Sequence, residues 1–209
     1  MCLLPGPYHS TVMSPELNPD LLRQRLAAAR DAPDASVFGD EPPADLDGAT
    51  LAGVLVPFTA SDGIWSLVFT RRSEDLPSHK GEISFPGGKV DRGETGLQAA
   101  LREAHEEMGI DPAHVEILGR LPRVFTVVTG FVIEPWVGLI PHSDFTVNQG
   151  EIAEVLEVPL AVLRDSSTVR EQKFIRGKAV YANWAFDVGP NIIWGATARV
   201  LKSLLDLIE

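Results

Sequence analysis

Hydrophobic and polar positions follow two different repeats along this chain, and their alternation predicts an α/β fold. A helix is predicted over 19–30, where three leucines fall on one side: Leu21, Leu22 and Leu26. Apolar runs over 51–58 and 64–71 predict two strands. The turn residues at 61–63, Ser-Asp-Gly, separate these runs, so the two strands are expected to form a hairpin.

The remaining pattern predicts more strands and a second long helix near the end of the chain. Strands are predicted over 115–121, 126–128 and 131–139, and a hairpin over 171–175 and 179–186 around Arg176-Gly177. Residues 151–159 are expected to form a loop and strand or a short helix, and 192–208 a terminal helix. Trp184 and Trp194 are expected in the core. This order fits a mixed sheet with helices on both sides.

Two stretches lie outside this alternation. Residues 1–18 contain Pro, Ser and His and are expected to be a flexible N-terminal leader, and residues 31–48, rich in Pro, Asp and Ala, a linker across the surface. At 209 residues, the chain is expected to place one domain over 19–209.

The most informative helix follows the segment 88–95. Thr95 is a suitable N-cap, and Gly109 is placed to end the helix in a left-handed conformation. Between them an apolar stripe is expected to face the core: Leu97, Ala100, Leu101, Ala104 and Met108.

Three carboxylates of the same helix fall at i, i+3 and i+4: Glu103, Glu106 and Glu107. This spacing predicts one acidic face, about a third of a turn from the apolar stripe. Like charges this close repel one another unless a cation lies between them. A hard divalent cation such as Mg²⁺ suits such a site, because it prefers oxygen ligands.

The segment over 88–110 resembles the Nudix hydrolase signature, G-x5-E-x7-R-E-U-x-E-E-x-G-U, in which U is a bulky aliphatic residue. The fixed positions fall on Gly88, Glu94, Arg102, Glu103, Glu106, Glu107, Gly109 and Ile110. Ala104 stands at the first U position and departs from the pattern by its small size. The resemblance implies an α/β/α sandwich with a mixed sheet, and hydrolysis that depends on Mg²⁺ or Mn²⁺.

A second block, over 67–91, resembles the extended motif of the coenzyme A pyrophosphatase subfamily. The matching residues are Leu67, Thr70, Arg72, Ser73, Leu76, His79, Gly81, Ile83, Ser84, Phe85, Pro86, Gly87, Gly88 and Asp91. This resemblance implies that coenzyme A or a derivative is cleaved to 3′,5′-ADP and 4′-phosphopantetheine. Two alternatives stay open: another nucleoside diphosphate conjugate, such as ADP-ribose or a dinucleotide, and a Nudix-fold binding module without turnover.

The resemblance also implies roles for individual residues. Glu103, Glu106 and Glu107 are expected to hold the metal, and Arg102 to pair with Glu94. The general base is expected to be a box glutamate or an acid of a later loop, with Glu151 ahead of Glu154. Substrate contacts are expected from Arg71, Arg72, His79 and Gly87, with Lys80 as a further nearby cation.

Charge and composition limit the partners. The net charge of −11 and the pI near 4.9 argue against binding to bare nucleic acid, which requires a basic surface. A bound cation can nevertheless reverse the local field for a small anionic substrate. No apolar run is long enough for a membrane span, and the single Cys2 excludes an internal disulfide. A cytoplasmic enzyme acting on a small molecule is therefore expected.

Overall fold

The computed structural model describes residues 17–30, 37–38, 49–76, 79–126, 130–142, 145–176 and 179–209. Most of the predicted leader and linker, residues 127 and 128 of one predicted strand, and Gly177 lie outside this range. Leu17 packs against the core and Asn18 caps the first helix, so these two residues of the predicted leader contact the folded part. Val37–Phe38, within the predicted linker, forms a short strand.

The chain forms four α-helices and twelve strands over the described residues. The helices are α1 (Pro19–Ala29), α2 (Gly96–Met108), α3 (Leu160–Leu163) and α4 (Gly195–Ile208). The strands are β1 (Val37–Phe38), β2 (Thr50–Ser61), β3 (Ile64–Arg72), β4 (Ile83–Ser84), β5 (Gly87–Lys89), β6 (Glu116–Arg120), β7 (Val124–Thr126), β8 (Phe131–Leu139), β9 (Ile152–Pro159), β10 (Val169–Arg176), β11 (Ala179–Val188) and β12 (Asn191–Trp194). A 3₁₀ turn covers Pro112–His114.

The larger sheet has eight strands and is mixed, as predicted. Strands β4, β3, β2, β8 and β6 follow one another in that order, while β5 pairs with β2, β7 with β8 and β9 with β3. Strand β2 runs parallel to β8, and the other pairs of this sheet are antiparallel. The predicted hairpin of β2 and β3 is confirmed.

A smaller sheet contains the second predicted hairpin. Strand β11 pairs antiparallel with β10, β1 and β12. The predicted terminal helix is wrong in its first turn, because residues 192–194 belong to β12. Gly195 has φ +65°, and this left-handed conformation separates the strand from α4.

The larger sheet buries both of its faces. Side chains alternate along β2, so that Leu55 packs with α2 on one face and Val56 with α1 and α4 on the other. This arrangement confirms the α/β/α order. No helix among the described residues has the length and apolar character needed to span a bilayer.

Two predictions about apolar residues need correction, and the third, for Trp184, is supported. Leu21 is 45% exposed, because the buried side of α1 is formed by Leu22 and Leu26. Trp194 is 50% exposed, since it alternates along β12 with the buried Ile193. Trp184 is partly buried against the core, where its ring also contacts Lys202.

Candidate active site

Local sequence fixes both ends of α2. The Thr95 hydroxyl accepts the backbone N–H of Gln98, and the Gln98 side chain accepts the backbone N–H of Thr95. This reciprocal pair is a capping box. At the other end, Gly109 has φ +71° and donates its N–H to the carbonyl of His105. The predicted N-cap and C-terminal glycine are both confirmed.

Two glycines of the larger sheet allow α2 to lie close to it. A Cβ atom on Gly53 of β2 would fall 1.9 Å from the carbonyl oxygen of Gly96, and one on Gly88 of β5 would fall 2.2 Å from Oε1 of Glu103. Gly53 and Gly88 are register partners across the two strands. The helix therefore crosses this glycine pair at backbone contact, with Glu103 held directly over β5.

Glu107 is a buried carboxylate, and this differs from the predicted acidic face. Its exposed fraction is 3%, on the same side of α2 as Ala100, Ala104 and Met108. Two members of the predicted stripe, Leu97 and Leu101, are only partly buried. The difference arises because Glu107 and Ala100 are seven residues apart, which places them almost in line on a helix.

Burial raises the pKa of Glu107 to about 8, and the nearby charges of Glu103 and Glu151 add to this effect. Arg72 and a hydrogen bond from the backbone of Gly87 favour the ionised form. Oε2 of Glu107 is buried and has no hydrogen-bond partner. An unpartnered buried carboxylate oxygen is costly, so this position is suited to a cation.

Arg102 connects the helix to the preceding loop. Its Nε and one terminal nitrogen donate to the two oxygens of Glu94 at 3.0 and 3.1 Å, which confirms the predicted ion pair. The same guanidinium donates to Glu103 at 2.8 Å and to the carbonyl of Lys89 at 3.0 Å. These contacts raise the pKa of Arg102, and its hydrogen bonds hold the pKa of Glu94 below its usual value. Arg102 thus holds Glu103 with the same guanidinium that pairs with Glu94.

The three predicted metal ligands occupy different environments. Glu107 is buried and Glu103 partly buried, whereas the Glu106 side chain is 54% exposed and lies 3.3 Å from Arg102. In the part of the chain that the structure describes, no three His, Cys, Asp or Glu side chains converge as a ready-formed metal cage. The donor set still fits a hard cation, because the unpartnered oxygen of Glu107 is close to further carboxylates.

The loop before β9 places Glu151 beside this group. The N–H of Asn148 donates to the carbonyl of Glu107 at 3.0 Å, and the carbonyl of Glu151 accepts the N–H of Ser73 at 2.7 Å. The side chain of Asn148 also donates to Glu151 at 3.3 Å. Glu154, the other predicted candidate for the base, accepts from Arg71 at 3.0 Å. The loop that carries Glu151 is therefore bonded through Asn148 to the backbone of Glu107.

The cationic side chains predicted near the substrate make different contacts. Arg71 donates to Glu154, to Asn191 at 2.6 Å and to the carbonyl of Gly81, so it joins three segments of the fold. Arg72 is close enough to Glu107 to influence its charge, and its buried Nε has no hydrogen-bond partner. Of the two arginines, Arg72 is the one whose charge acts on Glu107. Lys80 is exposed.

His79 lies in a turn that returns the chain to β3. Its φ of +57° is uncommon for a residue with a side chain, and its Nδ1 lies 2.9 Å from Glu82. Gly81 donates its N–H to the carbonyl of Arg72, while Arg72 donates its own to Glu82. The turn thus bonds the backbone of Arg72 to Gly81 and Glu82, which follow His79 by two and three residues.

Sequence reasoning missed the residues that support the site from other elements. Gly53 lies in a strand outside both motifs, and its contact with Gly96 depends on tertiary packing. Asn191 accepts a hydrogen bond from Arg71, although the two residues are more than a hundred positions apart in the chain. Glu134 of β8 was also missed, although a charged residue within an apolar run is a signal that sequence alone provides.

The match to known families agrees with this geometry. Residues 49–176 match the NUDIX domain family. A relative from Pectobacterium atrosepticum, the uncharacterized Nudix hydrolase NudL, is 39% identical over 159 residues, covering 73% of this chain and 80% of that protein. The chain belongs to the Nudix hydrolase family.

Two further comparisons extend this result. Nudix hydrolase 3 of Caenorhabditis elegans is 39% identical over 184 residues, which cover 79% of this chain and 76% of that protein. The crystal structure of a MutT/nudix family protein from Enterococcus faecalis superposes with a TM-score of 0.54 at 15% identity, covering 78% of this chain and 63% of that chain. This structural match concerns the fold alone.

Proposed function

We propose that this Nudix hydrolase cleaves the diphosphate bond of coenzyme A or its derivatives, giving 3′,5′-ADP and 4′-phosphopantetheine. The observation that carries the proposal is the juxtaposition of Glu107 with Arg72. Glu107 belongs to the box helix and Arg72 to the upstream block, and the charge of Arg72 acts on the buried Glu107 carboxyl. This effect supports a shared contribution of the two motifs to one site.

Mg²⁺ or Mn²⁺ would be held by Glu103 and Glu107, with Glu106 as the third carboxylate. When bound, the cation would neutralise charge on the diphosphate oxygens. The buried, unpartnered oxygen of Glu107 supports this assignment, since a cation would compensate its desolvation. Arg102 would keep Glu103 in place through their 2.8 Å hydrogen bond.

Glu151 would act as the general base that takes a proton from the attacking water. Its loop is tied by backbone hydrogen bonds both to Glu107 and to Ser73. Glu154 is the weaker candidate, because its carboxylate already accepts a hydrogen bond from Arg71. Arg72 would contact a substrate phosphate oxygen and so offset the repulsion from the acidic protein.

The upstream block supports coenzyme A as the substrate. It supplies Arg72 and Gly87, both near Glu107, and the turn that presents His79. His79 would contact the substrate with the ring nitrogen that does not face Glu82. Another nucleoside diphosphate conjugate, such as ADP-ribose, would need the same metal chemistry, so specificity has to be decided by a comparison of substrates.

A substrate panel tests the proposal. The kcat/KM for coenzyme A, oxidised coenzyme A, an acylated coenzyme A, ADP-ribose and a dinucleotide is measured with Mg²⁺, Mn²⁺ or chelator. The proposal predicts that a coenzyme A species exceeds ADP-ribose by about tenfold or more, which requires about 1.4 kcal/mol of discrimination. Preference for ADP-ribose would contradict the substrate assignment, and turnover in excess chelator would contradict the metal assignment.

A further inference from the structure

Glu134 is a buried carboxylate that the proposed chemistry does not use. It lies on β8 with an exposed fraction of 7%. Burial of a charge is costly unless a partner compensates it. Arg123 is that partner, and donates two hydrogen bonds, at 2.9 and 2.5 Å, to Oε1 of Glu134. The second oxygen, Oε2, is directed elsewhere.

Oε2 of Glu134 lies against the first residue of α2. A Cβ atom on Gly96 would fall 2.1 Å from this oxygen, so the backbone of Gly96 and the carboxylate are in close contact. On the other side, Gly96 meets Gly53 through its carbonyl oxygen. Gly53 and Glu134 are register partners on the parallel strands β2 and β8. The start of α2 is therefore enclosed by two neighbouring positions of one sheet.

We propose that Glu134, fixed by Arg123, is a positioning residue. It fixes where α2 packs on the sheet and thereby where Glu103 and Glu107 lie. The negative carboxylate also lies at the end of the helix where the dipole favours an anion. The inference rests on the proposed function, because it takes Glu103 and Glu107 as the residues that hold the cation.

The geometry of the helix explains how a contact at Gly96 reaches the metal ligands. Glu103 and Glu107 follow Gly96 by seven and eleven residues, about 10 and 16 Å along the axis. A tilt of about 5° at the first turn would move the far carboxylate by about 1.4 Å over that length. Metal–ligand distances tolerate only a few tenths of an ångström, so such a tilt would weaken the binding of the cation.

Titration with Mn²⁺ alone, followed by the electron paramagnetic resonance signal of the free ion, tests this proposal without turnover. Glu134→Ala removes the carboxylate, and Gly96→Ala introduces a Cβ that collides with it. Glu134→Gln keeps the shape and one oxygen for Arg123. Asp187→Asn is the matched control, because it breaks an exposed carboxylate–arginine pair with Arg170 in the smaller sheet.

We expect Glu134→Ala and Gly96→Ala to weaken Mn²⁺ binding about tenfold or more, as is common for residues that orient metal ligands. Asp187→Asn should bind as the parent protein does. The double variant Gly96→Ala/Glu134→Ala should bind Mn²⁺ more tightly than Gly96→Ala alone, because the colliding carboxylate is gone. If the double variant is instead the weakest binder, the two substitutions act by a general loss of stability, and the positioning role is contradicted.

Glu134→Gln covers the case in which the alanine variants do not fold. It should fold with a measurable loss of Mn²⁺ affinity and faster amide exchange in the first turn of α2. Parent-like binding in a folded Glu134→Gln or Glu134→Ala variant would overturn the inference. If Glu107→Gln also bound Mn²⁺ like the parent protein, the proposed function would fail first, and the inference with it.

Discussion

Gly53 and Gly96 meet so closely that a Cβ atom on Gly53 would fall 1.9 Å from the Gly96 carbonyl oxygen. The neighbouring atom is backbone, so it cannot move aside as the end of a side chain can. Gly53→Ala should therefore lower the free energy of unfolding by about 3 kcal/mol, the upper part of the usual range for overpacking. Urea unfolding of metal-free protein measures this effect.

Ala60→Val is the matched control for that variant. Ala60 lies on the same strand but is exposed, so the added methyl groups should change stability by less than about 0.5 kcal/mol. Equal stability of Gly53→Ala and Ala60→Val would contradict the close packing of α2 against β2.

The Arg102 guanidinium should not be replaceable by an amine. It holds both oxygens of Glu94 while also contacting Glu103 and Lys89, and the single ammonium group of Lys lacks this planar set of donors. Arg102→Lys should lower kcat about 10- to 100-fold in a folded protein, because Glu103 loses its orientation. Arg170→Lys, in the exposed pair with Asp187, should leave steady-state kinetics unchanged. Full activity of Arg102→Lys would remove the orienting role.

The pKa of Glu107 predicts how the stability of the metal-free protein depends on pH. In the unfolded chain this carboxyl ionises near 4.5, whereas in the folded protein it keeps its proton up to about pH 8. Between these values the folded state binds more protons than the unfolded state, so its stability falls as the pH rises. The loss contributed by this group between pH 4.5 and pH 8 should be about 2–4 kcal/mol.

Glu107→Gln isolates that contribution. The neutral side chain cannot ionise, so the variant should gain stability relative to the parent protein as the pH rises from 5.5 to 8.5 in the presence of chelator. Denaturant unfolding at several pH values gives the difference, with Glu209→Gln as an exposed control. Parallel pH profiles for Glu107→Gln and the parent protein would mean that the pKa of Glu107 is not raised.

Glu151 and Glu154 can be distinguished by their substitution with Gln. Loss of a general base costs about 10²- to 10⁴-fold in rate, so Glu151→Gln should lower kcat within that range at an unchanged fold. Glu154→Gln removes the ion pair with Arg71 and should have a much smaller effect on kcat. The reverse order, measured at saturating metal and substrate, would assign the base to Glu154.

Features with local causes were predicted well from the sequence. The capping box at Thr95, the left-handed Gly109 and the hairpin of β2 and β3 depend on residues within a few positions of one another. The pairing of Glu94 with Arg102 was predicted because the motif fixes the spacing between these two residues. The mixed sheet followed from the order of strands and helices.

Features that depend on tertiary packing were not predicted from the sequence. The spacing of the three glutamates predicted an acidic face, but residues distant in the chain, Gly87 and the loop before β9, contact Glu107, and its side chain is buried. Residues 192–194 continued an apolar pattern that suited a helix, yet their pairing with β11 makes them a strand. The contacts of Gly53, Glu134 and Asn191 join strands and helices that are distant in the chain, and no local spacing encodes them.

The most direct test of the central claim is to identify the products of one reaction by chromatography and mass. Coenzyme A is incubated with the protein and Mg²⁺, with the same mixture plus excess chelator, and with folded Glu107→Gln. We predict metal-dependent release of 3′,5′-ADP and 4′-phosphopantetheine by the parent protein, and none in the other two reactions. Intact coenzyme A after incubation with folded, metal-bound parent protein would contradict the account, as would full activity of Glu107→Gln.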